Sequence, residues 1–230
     1  MKLLIGCPVR DRAWILNEWF DYTNKSCANA DIEPQYIFVT DPTDEETICI
    51  VQNNEPEAVL ELFEEGSYVG DHVWNPDRYS HMSGLRNMLL RKVRELEPDF
   101  FLSLDSDILI HQELVGNLIE SSQQYDAVGG RTYMSPSGSW CPSVAQILPG
   151  GGLRRDDTDD VRTVMAIMAI KLMKPKAYSV DYEYDLMGED IGWSKAAKLR
   201  GCKLGYDGRV VNKHCMSQND LSKIDKRCGY

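Results

Sequence analysis

The 230-residue chain contains no Cys-x-x-Cys pair. Its seven cysteines, Cys7, Cys27, Cys49, Cys141, Cys202, Cys215 and Cys228, are scattered and odd in number, which argues against a zinc ribbon or a thioredoxin-like site. No apolar run approaches the roughly 20 residues of a membrane span. The opening Met1-Lys2-Leu3-Leu4-Ile5-Gly6 is too short for a signal peptide, so the expected setting is cytoplasmic, in a bacterium or a virus-infected host, with thiols reduced. Positive charge is scarce: 25 Lys and Arg stand against 36 Asp and Glu, a net charge of -11, which disfavours a dedicated polyanion binder. Internal repeats and low-complexity segments are absent. What is present, 43% hydrophobic and 27% charged residues, is ordinary for a globular chain with a core, and the length fits one domain.

Lys2 to Cys7 reads as a buried strand ended by Pro8, and Asp11 to Asn24 as a helix with Ile15, Leu16, Trp19 and Phe20 on one face. Gln35 to Thr40 is a second strand and Ile48 to Val51 a third; Glu55 to Glu65 reads as an acidic amphipathic helix stopped by Gly66. Ser80 to Leu96 carries one apolar stripe at Met82, Leu85, Leu89, Val93 and Leu96. Asp99 to Leu104 follows as a buried strand, then a helix over Gln112 to Gln123 and a strand over Asp126 to Gly129. This alternation predicts an α/β layer, a mostly parallel sheet with helices on both faces, whose ligands sit beyond the carboxyl ends of the strands. In the second half, Ser135 to Asp160 reads as a long loop, mobile over the site, with Gly150-Gly151-Gly152 as hinge and Trp140 as a sugar-stacking residue. Thr163 to Met173 is helix or strand. A helix from Gly188-Glu189-Asp190 to Arg200, two short strands and a loose polar tail from Ser217 complete the chain.

Asp105-Ser106-Asp107 leaves a buried strand, where two carboxylates one residue apart can share a divalent cation and its phosphates. Spacing alone is weak: with 21 Asp, about two Asp-x-Asp triplets arise by chance, and Asp157-Thr158-Asp159 is the other, in a charged loop. Turn-forming caps are the plain alternative for Asp105 and Asp107. Glu189 and Asp190 open a helix, a pattern the macrodipole also favours without any chemistry. His214 follows Val210-Val211, and Arg86 lies on the long helix, where it either reaches diphosphate oxygens or faces solvent. His72, His81 and His111 read as surface or packing residues.

Ser83-Gly84-Leu85-Arg86-Asn87-Met88-Leu89-Leu90 followed by Leu102-Ser103-Leu104-Asp105-Ser106-Asp107-Ile108 resembles the core of GT-A fold glycosyltransferases. It is similar to the large inverting family 2 group and to the Anp1-like mannosyltransferases. Gly188-Glu189-Asp190-Ile191-Gly192-Trp193 resembles their GED motif, and Val211-Asn212-Lys213-His214 their closing histidine motif. The resemblance runs from Leu3 to about His214 and implies a Rossmann-like GT-A domain over 1–216. Within it 1–130 would bind the nucleotide-sugar and 131–216 the acceptor and the catalytic base; 217–230 is a tail. By that resemblance Asp105 faces the donor ribose and diphosphate and, with Asp107 and His214, holds Mn²⁺ or Mg²⁺. Pro8, Arg10, Asp41, Arg86 and Asn87 line the donor site, and Asp190 with Glu189 supplies the base. The opening departs from the family pattern: Pro8-Val9-Arg10-Asp11 replaces P-x-x-N, and in Asp41-Pro42-Thr43-Asp44 two acids compete for one role.

The expected activity is metal-dependent transfer of a sugar from a nucleotide diphosphate-sugar to an acceptor hydroxyl, with inversion. The acceptor is left open among a glycan, a lipid-linked sugar, a protein and a modified DNA base. For the last, Lys195, Lys198, Arg200, Lys203 and Arg209 offer a basic stripe. A nucleotidyltransferase is the alternative enzyme, although Pro8 to Arg12 supplies arginines and no glycine for a phosphate loop. A non-catalytic nucleotide- or sugar-binding module is the alternative outside enzymes.

Overall fold

The computed structural model describes residues 1–63, 75–132, 142–150, 152–155 and 158–222. In chain order its elements are β1 (Leu3–Val9), α1 (Ala13–Asn29), β2 (Pro34–Thr40), α2 (Glu45–Asn54), β3 (Val59–Leu62), α3 (Pro76–Leu96), β4 (Phe100–Leu104), β5 (Ile108–Leu109), α4 (Leu114–Ser121) and β6 (Ala127–Arg131). There follow β7 (Val144–Ile147), β8 (Leu153–Arg155), β9 (Val161–Thr163), β10 (Ala166–Ile167), β11 (Ile170–Met173), α5 (Pro175–Tyr178), α6 (Glu189–Leu199), β12 (Leu204–Val211), β13 (Lys213–His214) and α7 (Gln218–Leu221).

Eight strands form the central sheet in the order β3-β2-β1-β4-β11-β6-β12-β9. Strands β1 to β4 are mutually parallel, as are β6 and β12; β11 runs antiparallel between β4 and β6, and β9 antiparallel to β12. Side chains alternate across the sheet. Leu3, Ile5, Cys7 and Val9 therefore enter one core with Leu16, Trp19 and Phe20 of α1 and Val115 and Leu118 of α4. Leu4 enters the other, with Leu89, Leu90 and Val93 of α3 and Trp193 and Ala197 of α6. No helix among the described residues is long and apolar enough to cross a membrane.

Several expectations need correction. Pro8 does not end β1; it lies past the last β1–β4 pair, Gly6↔Ser103, so its missing N–H breaks no ladder on that side. Residues 45–54 are helix rather than strand, because the Asp44 side chain accepts from Thr47 N and Glu45 and Glu46 occupy the first turn. Val59–Leu62 is then a strand instead of a helix, with Ile37↔Val59 through Thr40↔Leu62 in parallel register. The long loop contains a hairpin: β7 pairs with β8, and β10 with β7. Gly150, at φ 92, turns that hairpin, and Leu148 N donates to Gly152 O at 2.7 Å, so a turn accounts for Gly150. Trp140, Gly151 and His72 lie outside the described residues. Thr163 to Met173 resolves into short strands broken at Ala169, and the last strand pair into one eight-residue strand, β12, and β13. The start of the tail is the short helix α7, closed by a Ser217–Asp220 capping box.

Candidate active site

The buried face of α3 comprises Ser83, Arg86, Leu89, Leu90 and Val93. Arg86 thus sits at helical spacing on the core-facing stripe, and 4% of its side chain is exposed. Neither the solvent-facing reading nor an arginine open to a ligand describes it. NH2 donates to Asp105 Oδ1 at 2.9 Å, Nε to Glu189 Oε1 at 3.4 Å, and NH1 to Ser103 Oγ at 3.4 Å; Asp190 Oδ1 is 3.9 Å from Nε. One guanidinium therefore ties the end of β4 to the start of α6. Its neighbour Asn87 clamps a loop: Nδ2 donates to Tyr182 O at 2.9 Å and Oδ1 accepts from Tyr182 N at 2.6 Å. The same loop lies against α6, because a side chain at Gly192 would meet Glu183 O at 2.0 Å.

Lys171 of β11 is fully buried and stands opposite Ser103 of β4. Its ammonium donates to Asp190 Oδ1 at 2.6 Å and lies 5.7 Å from the Tyr182 ring centroid. Asp190 Oδ2 accepts from Ala169 N at 3.2 Å, and Ala169 O accepts from Asp105 N at 3.2 Å. Ala169 does this at φ 61, a left-handed conformation that strains an L side chain. Burial opposes ionisation of Asp190, yet Lys171 and Arg86 outweigh it and hold its carboxyl below the usual range. Glu189 is pushed the other way, by burial and then by the charge of Asp190. Burial also raises Asp105, against the pull of Arg86. The two adjacent carboxyls are thus shifted in opposite directions.

Beyond β4 the chain turns into β5, which pairs antiparallel with β13, setting His214 opposite Ile108. Cys215 N donates to Asp107 O at 2.7 Å. The result places His214 Nε2 3.4 Å from Asp107 Oδ1, while Arg12 NH2 is 3.3 Å from Asp107 Oδ2. Burial disfavours the Asp107 carboxylate, but His214 and Arg12 together bring it down to about 2. A carboxylate and an imidazole at this separation fit a Mn²⁺ or Mg²⁺ ion completed by phosphate oxygens and water. The expected third ligand does not join them: Asp105 is bonded to Arg86, and no three His, Cys, Asp or Glu among the described residues converge as a metal cage.

At the end of β2, Asp41 accepts from Thr43 N and Oγ1 and faces Arg10 NH1 at 3.5 Å; the Thr43 bonds, then Arg10, lower its carboxyl. Asp44 is occupied as the cap of α2 and accepts from Asp11 N at 2.7 Å, which separates the two acids that sequence left in competition. Pro8 lies on β1 one residue short of its end, beside these groups in the sheet. The basic stripe is partly neutralised: Lys195 pairs with Asp185, and Arg209 with Asp207 and Glu120.

Lys171 and Tyr182 belong to the constellation and were not singled out by sequence reasoning, and Arg12 joins them. A signal existed for Lys171, a lone charge inside the apolar run Ile170-Lys171-Leu172-Met173. Arg12 was weighed only among the arginines of Pro8 to Arg12, under the nucleotidyltransferase alternative.

No protein-family model matches the chain, and no curated protein matches its sequence. Solved structures do match by fold. S. aureus TarS in complex with UDP-GlcNAc superposes with a TM-score of 0.62 at 15% identity over 98% of this chain and 62% of that one. A mannosyltransferase from Pyrobaculum calidifontis in complex with GDP-Man and Mn²⁺ gives 0.59 at 14% identity, over 92% of this chain and 56% of that one. The inositol-1-phosphate CTP transferase from T. maritima gives 0.56 at 12%, over 97% and 92%. The chain thus spans less than two thirds of the length of the first two. It has the GT-A fold, a Rossmann-like α/β layer.

Proposed function

We propose that this GT-A-fold chain is a glycosyltransferase that moves a sugar from a nucleotide diphosphate donor to an acceptor hydroxyl with inversion. The observation that carries the reading is the Arg86 bridge, which gathers Asp105 at the strand exit and the Glu189–Asp190 pair at the helix start into one polar centre. The donors held by TarS and the mannosyltransferase support the substrate class.

In this reading the end of β2 takes the base, with Asp41 and Arg10 at its edge, while Asp105 faces the ribose. A divalent cation, where bound, neutralises charge building on the departing diphosphate; Asp107 and His214 are the residues to hold it. Asp190, whose carboxylate is favoured by Lys171 and Arg86, takes the proton of the acceptor hydroxyl as that oxygen attacks the anomeric carbon. Lys171, Arg86 and the Ala169 N–H fix where its carboxylate points. Glu189 closes Arg86 against α6, and Asn87 acts on the site through the Tyr182 loop.

The test is a thermal-shift panel of nucleoside diphosphates, nucleotide-sugars and nucleoside triphosphates with Mn²⁺, Mg²⁺ or EDTA. A donor at a hundred times its Kd stabilises by about 2.7 kcal/mol, roughly 5–10 °C for a chain of this size. A nucleotide-sugar hit accompanied by slow, metal-dependent donor hydrolysis is the expected result. A shift confined to triphosphates, with pyrophosphate release, replaces the reading with the nucleotidyltransferase one, which the CTP transferase fold likeness keeps in view. No shift with any nucleotide overturns both.

A further inference from the structure

We propose that Arg12 is a donor-binding arginine latched by Asp107, and that it exchanges this carboxylate for the donor diphosphate when a divalent cation takes Asp107. The inference rests on the glycosyl-donor reading and adds a residue and a coupling to it.

The position of Arg12 is built. Asp11 adopts φ 54, its N–H is fixed by Asp44 Oδ2 at 2.7 Å, and Arg12 N donates to Thr47 Oγ1 at 3.4 Å. The start of α2 thus pins the turn that presents the guanidinium. The guanidinium itself is loosely held. NH2 reaches Asp107 Oδ2 at 3.3 Å and NH1 the Asp11 carbonyl at 3.3 Å, both long for charge-assisted bonds, and Nε is buried with no hydrogen-bond partner among the described residues. A buried donor left without an acceptor is costly and calls for a ligand or water. Arg86 makes the contrast. It is deeper, engages carboxylates on two elements and has a 2.9 Å bond to Asp105, so it is structural to the site. Arg12 is thus an arginine at the strand ends with a buried donor to offer.

Charge gives the coupling its sign. Asp107 is the carboxylate that both Arg12 and an incoming cation need, so the two compete for it. A cation and a diphosphate diester arrive with charges that cancel. With Asp107 passed to the cation, Arg12 would be left unpaired unless it meets the diphosphate. Planar, forked donors suit such oxygens. Cation alone is therefore opposed by Arg12, whereas cation with diphosphate is favoured by it.

The experiment measures binding of Mn²⁺ alone by electron paramagnetic resonance, and of UDP and GDP by calorimetry with Mn²⁺ or EDTA. It compares wild type, Arg12→Met, Arg12→Lys and Asp107→Asn, with circular dichroism confirming the fold. Arg12→Met should bind Mn²⁺ alone at least as tightly as wild type but the Mn²⁺–nucleoside diphosphate about tenfold more weakly. Arg12→Lys should fall between. Asp107→Asn should lose Mn²⁺ yet, in EDTA, bind the nucleoside diphosphate more tightly than wild type in EDTA, because the latch is gone. Parallel loss of both affinities in Arg12→Met marks a merely structural arginine and overturns the proposal, as does an unchanged diphosphate affinity. Wild type failing to bind either diphosphate with Mn²⁺ overturns the donor reading itself and this inference with it.

Discussion

Lys171→Met removes an ammonium from the interior of the site and leaves a chain of similar length and apolar character. Among the described residues Asp190 then keeps Ala169 N at 3.2 Å and the more distant Arg86 Nε at 3.9 Å. Breaking a buried ion pair by deleting one member costs about 3–5 kcal/mol, and the two remaining partners put this case near the lower end, about 3 kcal/mol. Removing both charges in Lys171→Met/Asp190→Asn should return much of that loss, so the pair's interaction energy in a double-mutant cycle should be at least about 2 kcal/mol. Urea unfolding at neutral pH, with unchanged m, is the assay. The pH dependence has a definite sign. Asp190 is held below its usual range, so its share is full above the unfolded value near 4 and is lost as pH falls through the folded value. Lys171 loses part of its charge preference to burial, but Asp190 holds it above its usual range. Its share is therefore full below about 10 and is lost as pH rises through the folded value. The difference between wild type and Lys171→Met should be flat from about pH 5 to 9 and shrink on either side. In turnover, kcat should fall about 10²-fold while KM for the donor moves little, since the lysine aims the base and touches no donor. A single variant within about 0.5 kcal/mol of wild type, or a double variant equal to the sum of the singles, refutes the reasoning.

Asp190→Asn should lower kcat by about 10² or more and leave nucleoside diphosphate affinity in Mn²⁺ within about twofold; an equal fall in affinity would make Asp190 a donor ligand or a cap. Ala169→Gly loses a buried methyl and gains unfolded-state entropy, which at an ordinary site costs about 1.5 kcal/mol. Relief of the φ 61 strain, about 1–2 kcal/mol, should offset it, so the variant should melt close to wild type while Ala145→Gly on β7, equally buried without positive φ, melts several degrees lower. Equal losses at the two positions would show that Ala169 carries no strain.

Hydrophobic pattern and punctuation carried the frame. The runs Leu3-Leu4-Ile5, Tyr36-Ile37-Phe38-Val39 and Phe100-Phe101-Leu102 are strands in the parallel half, and the 82–96 stripe is a helix. The pattern failed over 45–62, where Ile48, Ile50 and Val51 looked like a strand and the Asp44 cap went unread. On α3 the stripe took in the half-buried Met82, Leu85 and Leu96 and passed over Ser83, Arg86 and Leu90, so the burial of Arg86 went unread although its place in the donor site was expected.

The sequence by itself determined that this is an α/β layer with acids at the exit of a buried strand and at the start of a helix. Those follow from periodicity and from the placing of charge next to apolar runs, which are local properties of the chain. Only tertiary structure decided what each acid meets. The antiparallel insertion of β11 between β4 and β6 drives Lys171 under Asp190, the pairing of β5 with β13 brings His214 to Asp107, and the turn at Asp11 delivers Arg12 to the same carboxylate. These partners lie far apart along the chain, from Arg12 to His214. Short-range pattern cannot pair charges that meet only when strands choose their neighbours.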